Sequence, residues 1–156
     1  MEHIILHWLK EMSRILAIDF GLKRIGLAIS DELKLIAVPY KAIPNDENAL
    51  SEIIKIIDVE DVNEIIIGLP LNLNGREGDI ARKVRQFGGE LKKHLKNISI
   101  KFFDERFTSK MAEKKFIEKK KKIPLGDKNK KEIDKLAAAY LLQNYLDLRY
   151  LENEST

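Results

Sequence analysis

The 156-residue sequence predicts an α/β fold, with a mixed five-stranded sheet and helices on both faces. Three observations lead to this prediction. The first three apolar segments are joined by short turns, which is typical of an antiparallel meander. Amphipathic stretches and apolar runs then follow in the order helix, strand, helix, strand, helix, helix. The first apolar run is apolar on both faces, so we expect it to be a central, covered strand.

The predicted strands are short apolar runs bounded by turn residues. Residues 21–23 form a turn that connects the first two strands as a hairpin. Pro39 has no N–H for a sheet ladder, and it therefore places the third strand at an edge or a bulge. The strands are expected at residues 14–20, 25–30, within 35–43, 64–69 and 98–103.

Helices are predicted where apolar residues recur at spacings of three and four. Thr108 can cap the third of these helices. A basic connection at 119–127 precedes the last helix, and we expect a frayed tail at 152–156. The predicted ranges are 49–57 (apolar face Leu50, Ile53, Ile54, Ile57), 79–95 (Ile80, Val84, Phe87, Leu91, Leu95), 108–120 and 130–151.

Residues 1–13 precede the single domain predicted at 14–151. The helical spacing of Ile4, Ile5, Trp8, Leu9 and Met12 predicts a short amphipathic helix. Two interpretations stay open. Translation could start at Met12, which would leave the first eleven residues untranslated, or the helix could cover a core edge or a partner.

The bulk composition is that of one soluble globular domain, with 44% hydrophobic and 34% charged residues. No apolar run approaches the roughly 20 residues that a membrane helix needs. The absence of cysteine excludes disulfides, a thiol nucleophile and a thiolate metal site. It is consistent with a reducing cytosol, so we expect a cytoplasmic protein without membrane contacts.

Positive charge is concentrated between residues 101 and 135, where thirteen Lys or Arg face seven Asp or Glu. Clustered cations favour a polyanionic partner, although a solvated lysine-rich surface gives the same pattern. The run Lys119, Lys120, Lys121 and Lys122 is the densest part. Phe116 is the one aromatic residue beside it, so the sequence does not predict base stacking there.

Three carboxylates lie where charge is costly. Asp19 ends the first strand, Glu105 follows the fifth, and Asp134 lies on the apolar face of the last helix. A buried charge must be paired, protonated or bound to a metal. In open sheets, sites gather at the carboxyl ends of parallel strands. Three carboxylates without a His or Cys cluster predict a site for a hard divalent cation, Mg²⁺ or Mn²⁺.

Each carboxylate also has a structural interpretation. Asp19 could cap the hairpin turn, and Asp134 could simply favour the start of its helix. Side chains alternate along an extended chain, so only one of Asp104 and Glu105 can meet Asp19. Arg106 could pair with a carboxylate or hold a phosphate. If the three acids converge, their repulsion should raise a pKa in the metal-free protein or leave the site disordered.

The packing face of the last helix is predicted by counting from Asp134. Offsets of three, four, seven, eleven and fourteen residues are expected to lie on that face. Small residues there would let the helix approach the sheet closely. The face contains Ala137, Ala138, Leu141, Tyr145 and Leu148.

Four strings in order resemble one known family, over about residues 14–148. They are DFGLKRIGLA at 19–28, GLPLN at 68–72, DERFT at 104–108 and DKLAA at 134–138. Together they resemble the YqgF family, also called RuvX, of resolvase-like nucleases. The resemblance implies a ribonuclease H-like fold and a bacterial cytoplasmic nuclease that processes the 5′ end of precursor 16S rRNA. The family was earlier proposed to cut Holliday junctions.

The resemblance also implies roles for particular residues. By motif position, Asp19, Glu105 and Asp134 are expected to be the metal-binding catalytic acids. Arg24, Asn72, Arg106 and the loop at 68–75 are expected to contact or frame nucleic acid, and Lys119–Lys122 fit a backbone-binding surface. Ribonuclease H-like enzymes often use four acidic groups and only three are placed here, so the number of metal ions stays open.

Several alternatives remain at this stage. The expected activity is metal-dependent hydrolysis of phosphodiester bonds in pre-16S rRNA or structured RNA. Resolution of branched, four-way DNA is one alternative, and a non-catalytic RNA- or ribosome-binding protein of the same fold is another. Ribosomal particles are a further expected partner, and the chain is expected to be a monomer or a weak homodimer.

Overall fold

The strands of the protein form one sheet. The computed structural model describes residues 1–106, 110–124 and 129–154, without the side chains of residues 7–11. Within these ranges the sheet has five strands in the order β3-β2-β1-β4-β5. Pairing is antiparallel between β1 and β2 and between β2 and β3, and parallel between β1 and β4 and between β4 and β5. The predicted mixed sheet is thus confirmed, with β1 (Arg14–Phe20), β2 (Arg24–Ser30), β3 (Ala37–Pro44), β4 (Val62–Leu69) and β5 (Ser99–Asp104).

The helices lie close to their predicted positions. Residues 152–154 continue the last helix, so the predicted fraying of that segment is wrong. The predicted cap Thr108 lies outside the described residues, as do residues 125–128 of the basic connection and residues 155–156. The described helices are α1 (Glu2–Glu11), α2 (Ala49–Val59), α3 (Asp79–His94), α4 (Lys110–Lys121) and α5 (Lys130–Glu154).

The sheet is covered on both faces because its central strands are apolar on both sides. On β1, Leu16 and Ile18 belong to the core shared with α2 and α3. The alternate residues Ile15 and Ala17 belong to the core under α5. Side chains alternate along a strand, so Asp19 continues the face that α5 covers.

Helix α5 lies very close to the hairpin strands. Ala17 and Ala28 on the sheet meet Ala138 and Ala139 on the helix. A Cβ atom at Gly26 would collide with the backbone oxygen of Asp134. The small residues therefore hold the first turns of α5, with Asp134, against the start of β2.

One predicted helix face needs correction. Ile80 is 46% exposed, whereas Ala81, Val84 and Leu91 are fully buried. Buried positions at 81, 84, 88 and 91 follow spacings of three, four and three residues. That stripe places residue 80 outside the contact with the sheet.

The remaining predictions concern the edges of the fold. Strand β3 is an edge strand, as Pro39 predicted. Its pairing with β2 shifts register between Leu27 and Ala28 of β2, and Ala28 lies opposite Pro39.

Residues 2–11 form helix α1, as their spacing predicted, but Ile4 and Ile5 are 62% and 56% exposed. No helix in the described ranges has both the length and the apolar content that crossing a membrane requires.

Candidate active site

Asp19 and Glu105 lie in the same cleft at the carboxyl edge of the sheet. Strands β1 and β5 run parallel on either side of β4, so their carboxyl ends meet at one edge. Asp19 lies near the end of β1 and Glu105 directly follows β5. The cleft has a volume of about 180 Å³, and the other residues that line it are Phe103, Ala137, Tyr140, Leu141 and Asn144.

The central strand leaves room for the Glu105 side chain. A Cβ atom at Gly68 of β4 would collide with Oε1 of Glu105 and lie 3.1 Å from Cδ2 of Leu141. The Glu105 carboxyl group therefore lies directly over Gly68. This contact explains why the fourth strand ends in a glycine-containing string at this edge.

Burial raises the pKa of both carboxyl groups in the cleft. The pKa of Asp19 is raised from 3.8 to about 6, first by burial and then by the negative charge of Asp134. Glu105 is exposed as a whole residue, but its carboxyl group faces the cleft. Burial, followed by the charges of Asp19 and Asp104, raises the pKa of Glu105 from 4.5 to about 7. A raised pKa was predicted, but desolvation contributes more to it than the predicted repulsion.

Asp134 is held by an arginine from the hairpin. Nε of Arg24 donates a hydrogen bond of 2.6 Å to Oδ2 of Asp134. The two side chains are 29% and 28% exposed. Asp134 still lies near enough to Asp19 for its charge to raise the pKa of Asp19. The structure therefore places the third acid beside the cleft, where it is paired with the arginine that was expected to contact nucleic acid.

The donor set fits a hard divalent ion in part. Among residues 1–106, 110–124 and 129–154, no three Asp, Glu or His side chains are grouped so that they could hold a metal ion. Asp19 and Glu105 do place two carboxylates in one cleft. Mg²⁺ is usually held by one or two carboxylates together with waters and substrate phosphates. Asp19 and Glu105 fit such an ion, whereas Asp134 is paired with Arg24 and does not line the cleft, so its role as a third ligand stays a prediction.

Asp104 forms an ion pair with Arg106. Three contacts of 2.7–3.1 Å join the guanidinium to the carboxylate, and the Arg106 N–H donates a further hydrogen bond to Asp104. This pairing lowers the pKa of Asp104. Only Glu105 of the acidic pair lines the cleft with Asp19, as side-chain alternation predicts.

The loop that follows β4 forms a closed turn beside Arg106. Leu71 and Glu77 pair as an isolated bridge. The N–H of Asn72 donates to the Arg76 carbonyl over 2.9 Å, and the N–H of Gly75 donates to the Asn72 carbonyl over 2.8 Å. Gly75 has a φ of +81°, which favours glycine.

Two predicted contact residues belong to or border this loop. A Cβ atom at Gly75 would lie 3.5 Å from Nη1 of Arg106, and the side chain of Asn72 approaches Gly78 at the start of α3. Asn72 and Arg106 thus help to define the shape of the loop. Their contact with nucleic acid stays a prediction.

The lysine run lies next to the cleft. Lys119 lines a small cavity between α4 and α5 with Lys115, Phe116 and Tyr140. Nζ of Lys120 lies 5.8 Å from the centre of the Phe116 ring. Lys121 ends α4, and all four lysines of the predicted run are exposed. Because Tyr140 borders both this cavity and the cleft, the basic helix adjoins the carboxylates.

Sequence reasoning missed two residues of the cleft. Tyr140 and Asn144 line it from α5, and Asn144 is only 3% exposed. Both fall outside the face that was counted from Asp134. Ala137, Tyr140, Leu141 and Asn144, at offsets of three, four and seven residues, form a helical stripe, but only the packing of α5 on the sheet shows that this stripe faces the cleft.

A comparison with models of protein families shows to which family this chain belongs. A model described as RuvX, Holliday junction resolvase, matches residues 13–148. The chain belongs to the RuvX family. The match includes every strand and extends into α5, so the RuvX relationship covers all residues of the cleft.

Curated RuvX relatives match over nearly their full length. A protein of a Sulfurihydrogenibium species is 48% identical over 147 residues, which cover 93% of this chain and 97% of the relative. A protein of Endomicrobium trichonymphae is 43% identical over 142 residues, which cover 88% and 98%. Both carry the name "Putative pre-16S rRNA nuclease".

Solved structures identify the fold. The RuvC protein of T. thermophilus, determined in complex with a Holliday junction substrate, superposes with a TM-score of 0.51 at 13% sequence identity. The match covers 87% of this RuvX-family chain and 96% of that protein. The predicted ribonuclease H-like fold is thereby confirmed.

Proposed function

We propose that this protein is a metal-dependent nuclease that hydrolyses phosphodiester bonds at the 5′ end of precursor 16S rRNA. The observation that carries the proposal is the meeting of Asp19 and Glu105 in one cleft at the carboxyl edge of the sheet. The names of the curated relatives support the substrate. The retained acids argue against a purely non-catalytic binding protein of the same fold.

The carboxylates are the metal ligands in this proposal. Asp19 and Glu105 would hold Mg²⁺ or Mn²⁺ in their deprotonated forms, and Asp134 would be a third ligand if it left Arg24. When bound, the ion supplies positive charge that polarises the scissile phosphate and stabilises the charge that develops in hydrolysis. Because the pKa of Asp19 is about 6 and that of Glu105 about 7, the two carboxyl groups would release part of their protons if they bound the ion near neutral pH.

The basic residues position the substrate. Arg24 is paired with Asp134 through Nε, and Arg106 is paired with Asp104 through Nε and Nη2. Each guanidinium has further N–H groups that can donate to a phosphate. Asn72 shapes the loop at 70–78 beside Arg106. The run Lys119–Lys122 contacts the backbone without reading sequence.

Cleavage of four-way DNA junctions is the second candidate function. The description of the matching family model favours it. Resolution requires two symmetric cuts and therefore two copies of the cleft at a suitable spacing. We expect a monomer or weak homodimer, which suits rRNA processing better, and sedimentation of the protein with and without a junction measures this directly.

Parallel cleavage assays test the proposal. A precursor rRNA with its 5′ leader and a four-way DNA junction are each incubated with Mn²⁺ or Mg²⁺ and with the parent, Asp19→Asn, Glu105→Gln or Asp134→Asn. We expect the three variants to lose cleavage of the rRNA while binding it nearly as well as the parent. Asp58→Asn, an exposed carboxylate on α2, is the matched control and should cleave normally.

Two outcomes would decide against the proposal. If Asp19→Asn cleaves as well as the parent, the catalytic role of the cleft is wrong. If the parent cleaves the junction and leaves the rRNA intact, the second candidate replaces the first. We further propose that the enzyme acts in the cytoplasm on rRNA within ribosomal particles, and fractionation of cell extracts on sucrose gradients tests that location.

A further inference from the structure

We propose that the cleft beside Asp19 and Glu105 also binds one unpaired nucleobase of the substrate, which stacks on Tyr140 and is read by Asn144. This inference rests on the proposed nuclease function, because it identifies the form of nucleic acid that the same site takes. It assigns a binding role to two residues that sequence reasoning did not single out.

The lining of the cleft is suited to a flat, largely apolar ring. Phe103, Ala137 and Leu141 supply carbon surface, and the two carboxylates stand with them. An ion held by Asp19 and Glu105 would contact their oxygens and not these apolar walls, which are therefore available to another part of the substrate. Ligand pockets for ring systems combine apolar surface with few polar groups. The volume of about 180 Å³ provides space for one base.

Tyr140 provides a surface for stacking. Its ring packs against Phe116 of α4, with ring centres 4.7 Å apart and planes inclined by 30°. The ammonium group of Lys120 lies 5.8 Å from the Phe116 ring centre, within the range of a cation–π contact. A base in the cleft would add a third member to this stack. Base stacking on aromatic side chains tolerates any sequence because every base has a π-face.

Asn144 supplies the polar group that a base edge requires. It is 3% exposed and lines the cleft one helical turn beyond Tyr140. An amide has two N–H donors and an oxygen with two lone pairs. Asn144 can therefore bond a base edge while it keeps an interaction within the protein.

The lysines of α4 can bind the phosphates of a nucleic-acid strand in a position from which one base reaches the cleft. The exposed lysines of α4 flank the Phe116–Tyr140 pair, with Lys115 and Lys119 lining the adjacent cavity. Backbone phosphates held there would run along α4 toward the carboxylates. A base within a duplex is stacked and paired, so only a single-stranded or extruded base can enter.

Binding of base-containing and abasic strands separates stacking from backbone contacts. The probes are a fluorescent ten-residue oligouridylate and an abasic ribose-phosphate chain of equal length, measured by anisotropy in EDTA to prevent cleavage. We expect the parent to prefer the oligouridylate. Tyr140→Leu should weaken binding of oligouridylate about tenfold and leave the abasic chain unchanged. Tyr140→Phe, which retains the ring, should bind like the parent.

Matched controls exclude a folding effect. Tyr150→Leu makes the same change on the same helix at a residue that is 52% exposed and outside the cleft, and it should bind both probes normally. Asn144→Leu should reduce the discrimination between oligouridylate and oligoadenylate, with a far-ultraviolet spectrum like that of the parent. Equal losses on both probes, or a parent without preference for the base-containing chain, would overturn the proposal.

The outcome is distinguishable from failure of the nuclease function. Base-dependent binding in a protein that cleaves no RNA would retain the base site and reject the nuclease. Cleavage by a parent that binds abasic and base-containing strands equally would retain the nuclease and reject the base site.

Discussion

Nε of Arg24 and Oδ2 of Asp134 lie 2.6 Å apart and join the start of β2 to the first turns of α5. The pair keeps a carboxylate of the candidate site beside Asp19 without placing it in the same cleft. It also engages an arginine that is expected to meet phosphate. In the proposed mechanism, metal binding by Asp134 and phosphate binding by Arg24 would therefore be linked, because this bond holds the two side chains to each other.

The first prediction concerns this pair. Arg24→Gln should lower the free energy of unfolding by about 1.5–3 kcal/mol, because it removes a charged hydrogen bond between half-buried groups. Once released, Asp134 should increase the affinity for Mn²⁺ in the absence of RNA, and loss of the arginine should weaken RNA binding. Urea unfolding, electron paramagnetic titration of Mn²⁺ and RNA anisotropy measure the three effects.

A control for the first prediction lies at the opposite face of the sheet. Lys41 pairs with Glu52 at a similar distance of 2.6 Å, but its side chain is 54% exposed. Exposed pairs contribute little to stability, so Lys41→Gln should leave all three measurements unchanged. Unchanged Mn²⁺ affinity in Arg24→Gln would show that Asp134 does not compete between arginine and metal.

The second prediction is a fall in stability as pH rises. The folded protein keeps protons on Asp19 and Glu105 up to about pH 6 and 7, whereas the unfolded chain loses them near 3.8 and 4.5. A raised acid pKa means that folding becomes less favourable between these values. The free energy of unfolding in EDTA should therefore decrease between about pH 4 and pH 7.

The variant Asp19→Asn tests whether the cleft acids cause this pH dependence of stability. Asp19→Asn should be more stable than the parent by up to about 3 kcal/mol at pH 7.5, and the difference should vanish near pH 4. Asp58→Asn should follow the parent at every pH. The assignment of the effect to the cleft is wrong if both variants show the same pH dependence.

The third prediction uses the glycine beneath Glu105. Gly68→Ala should displace the Glu105 carboxyl group, because the added methyl group collides with the flexible end of that side chain. We expect a large loss of cleavage together with a modest loss of stability, typically about 1–3 kcal/mol for an overpacked site. Activity and thermal unfolding are measured on the same preparation.

Gly89 provides the comparison for this substitution. It lies within α3 and has no atom within 4 Å of an added Cβ. Gly89→Ala should stabilise the helix by about 0.5–1 kcal/mol and leave cleavage unchanged. Full activity in Gly68→Ala would mean that the position of Glu105 over Gly68 is unimportant for catalysis.

The fourth prediction concerns the lysines of α4. The double variant Lys119→Gln with Lys121→Gln should reduce the slope of log affinity against log salt by about 1.4 on single-stranded RNA, since each lost phosphate contact lowers it by about 0.7. Lys55→Gln with Lys41→Gln, on α2 and β3, is the control and should keep the parental slope. An unchanged slope in the first double variant would identify the lysine run as a solvated surface.

Local pattern accounts for what was predicted correctly. Strand β1 was placed at residues 14–20 because its apolar residues occupy both faces, and Glu105 was predicted to be separated from Asp104 because side chains alternate. Ile80 was misplaced because two nearly equivalent helical stripes exist in α3, and only contact with the sheet selects the one that begins at Ala81.

Base stacking shows where local pattern fails. Phe116 is the one aromatic residue of α4, so the basic segment did not predict a stacking surface. Tyr140 is 24 residues away along the chain and reaches Phe116 only because α4 and α5 pack together. Asn144 was overlooked for a similar reason, since an amide on a helix is unremarkable until its burial in the cleft is seen.

The sequence by itself determined the order of the elements, the family and the three acidic positions, because these depend on periodicity and on motifs that are local in the chain. The tertiary structure alone decided that Asp19 and Glu105 share a cleft, that Arg24 holds Asp134, and that Tyr140 stacks on Phe116. Each of these contacts joins residues from separate elements. Their geometry, and the burial that raises the pKa of both cleft acids, arises only when helices pack onto a sheet.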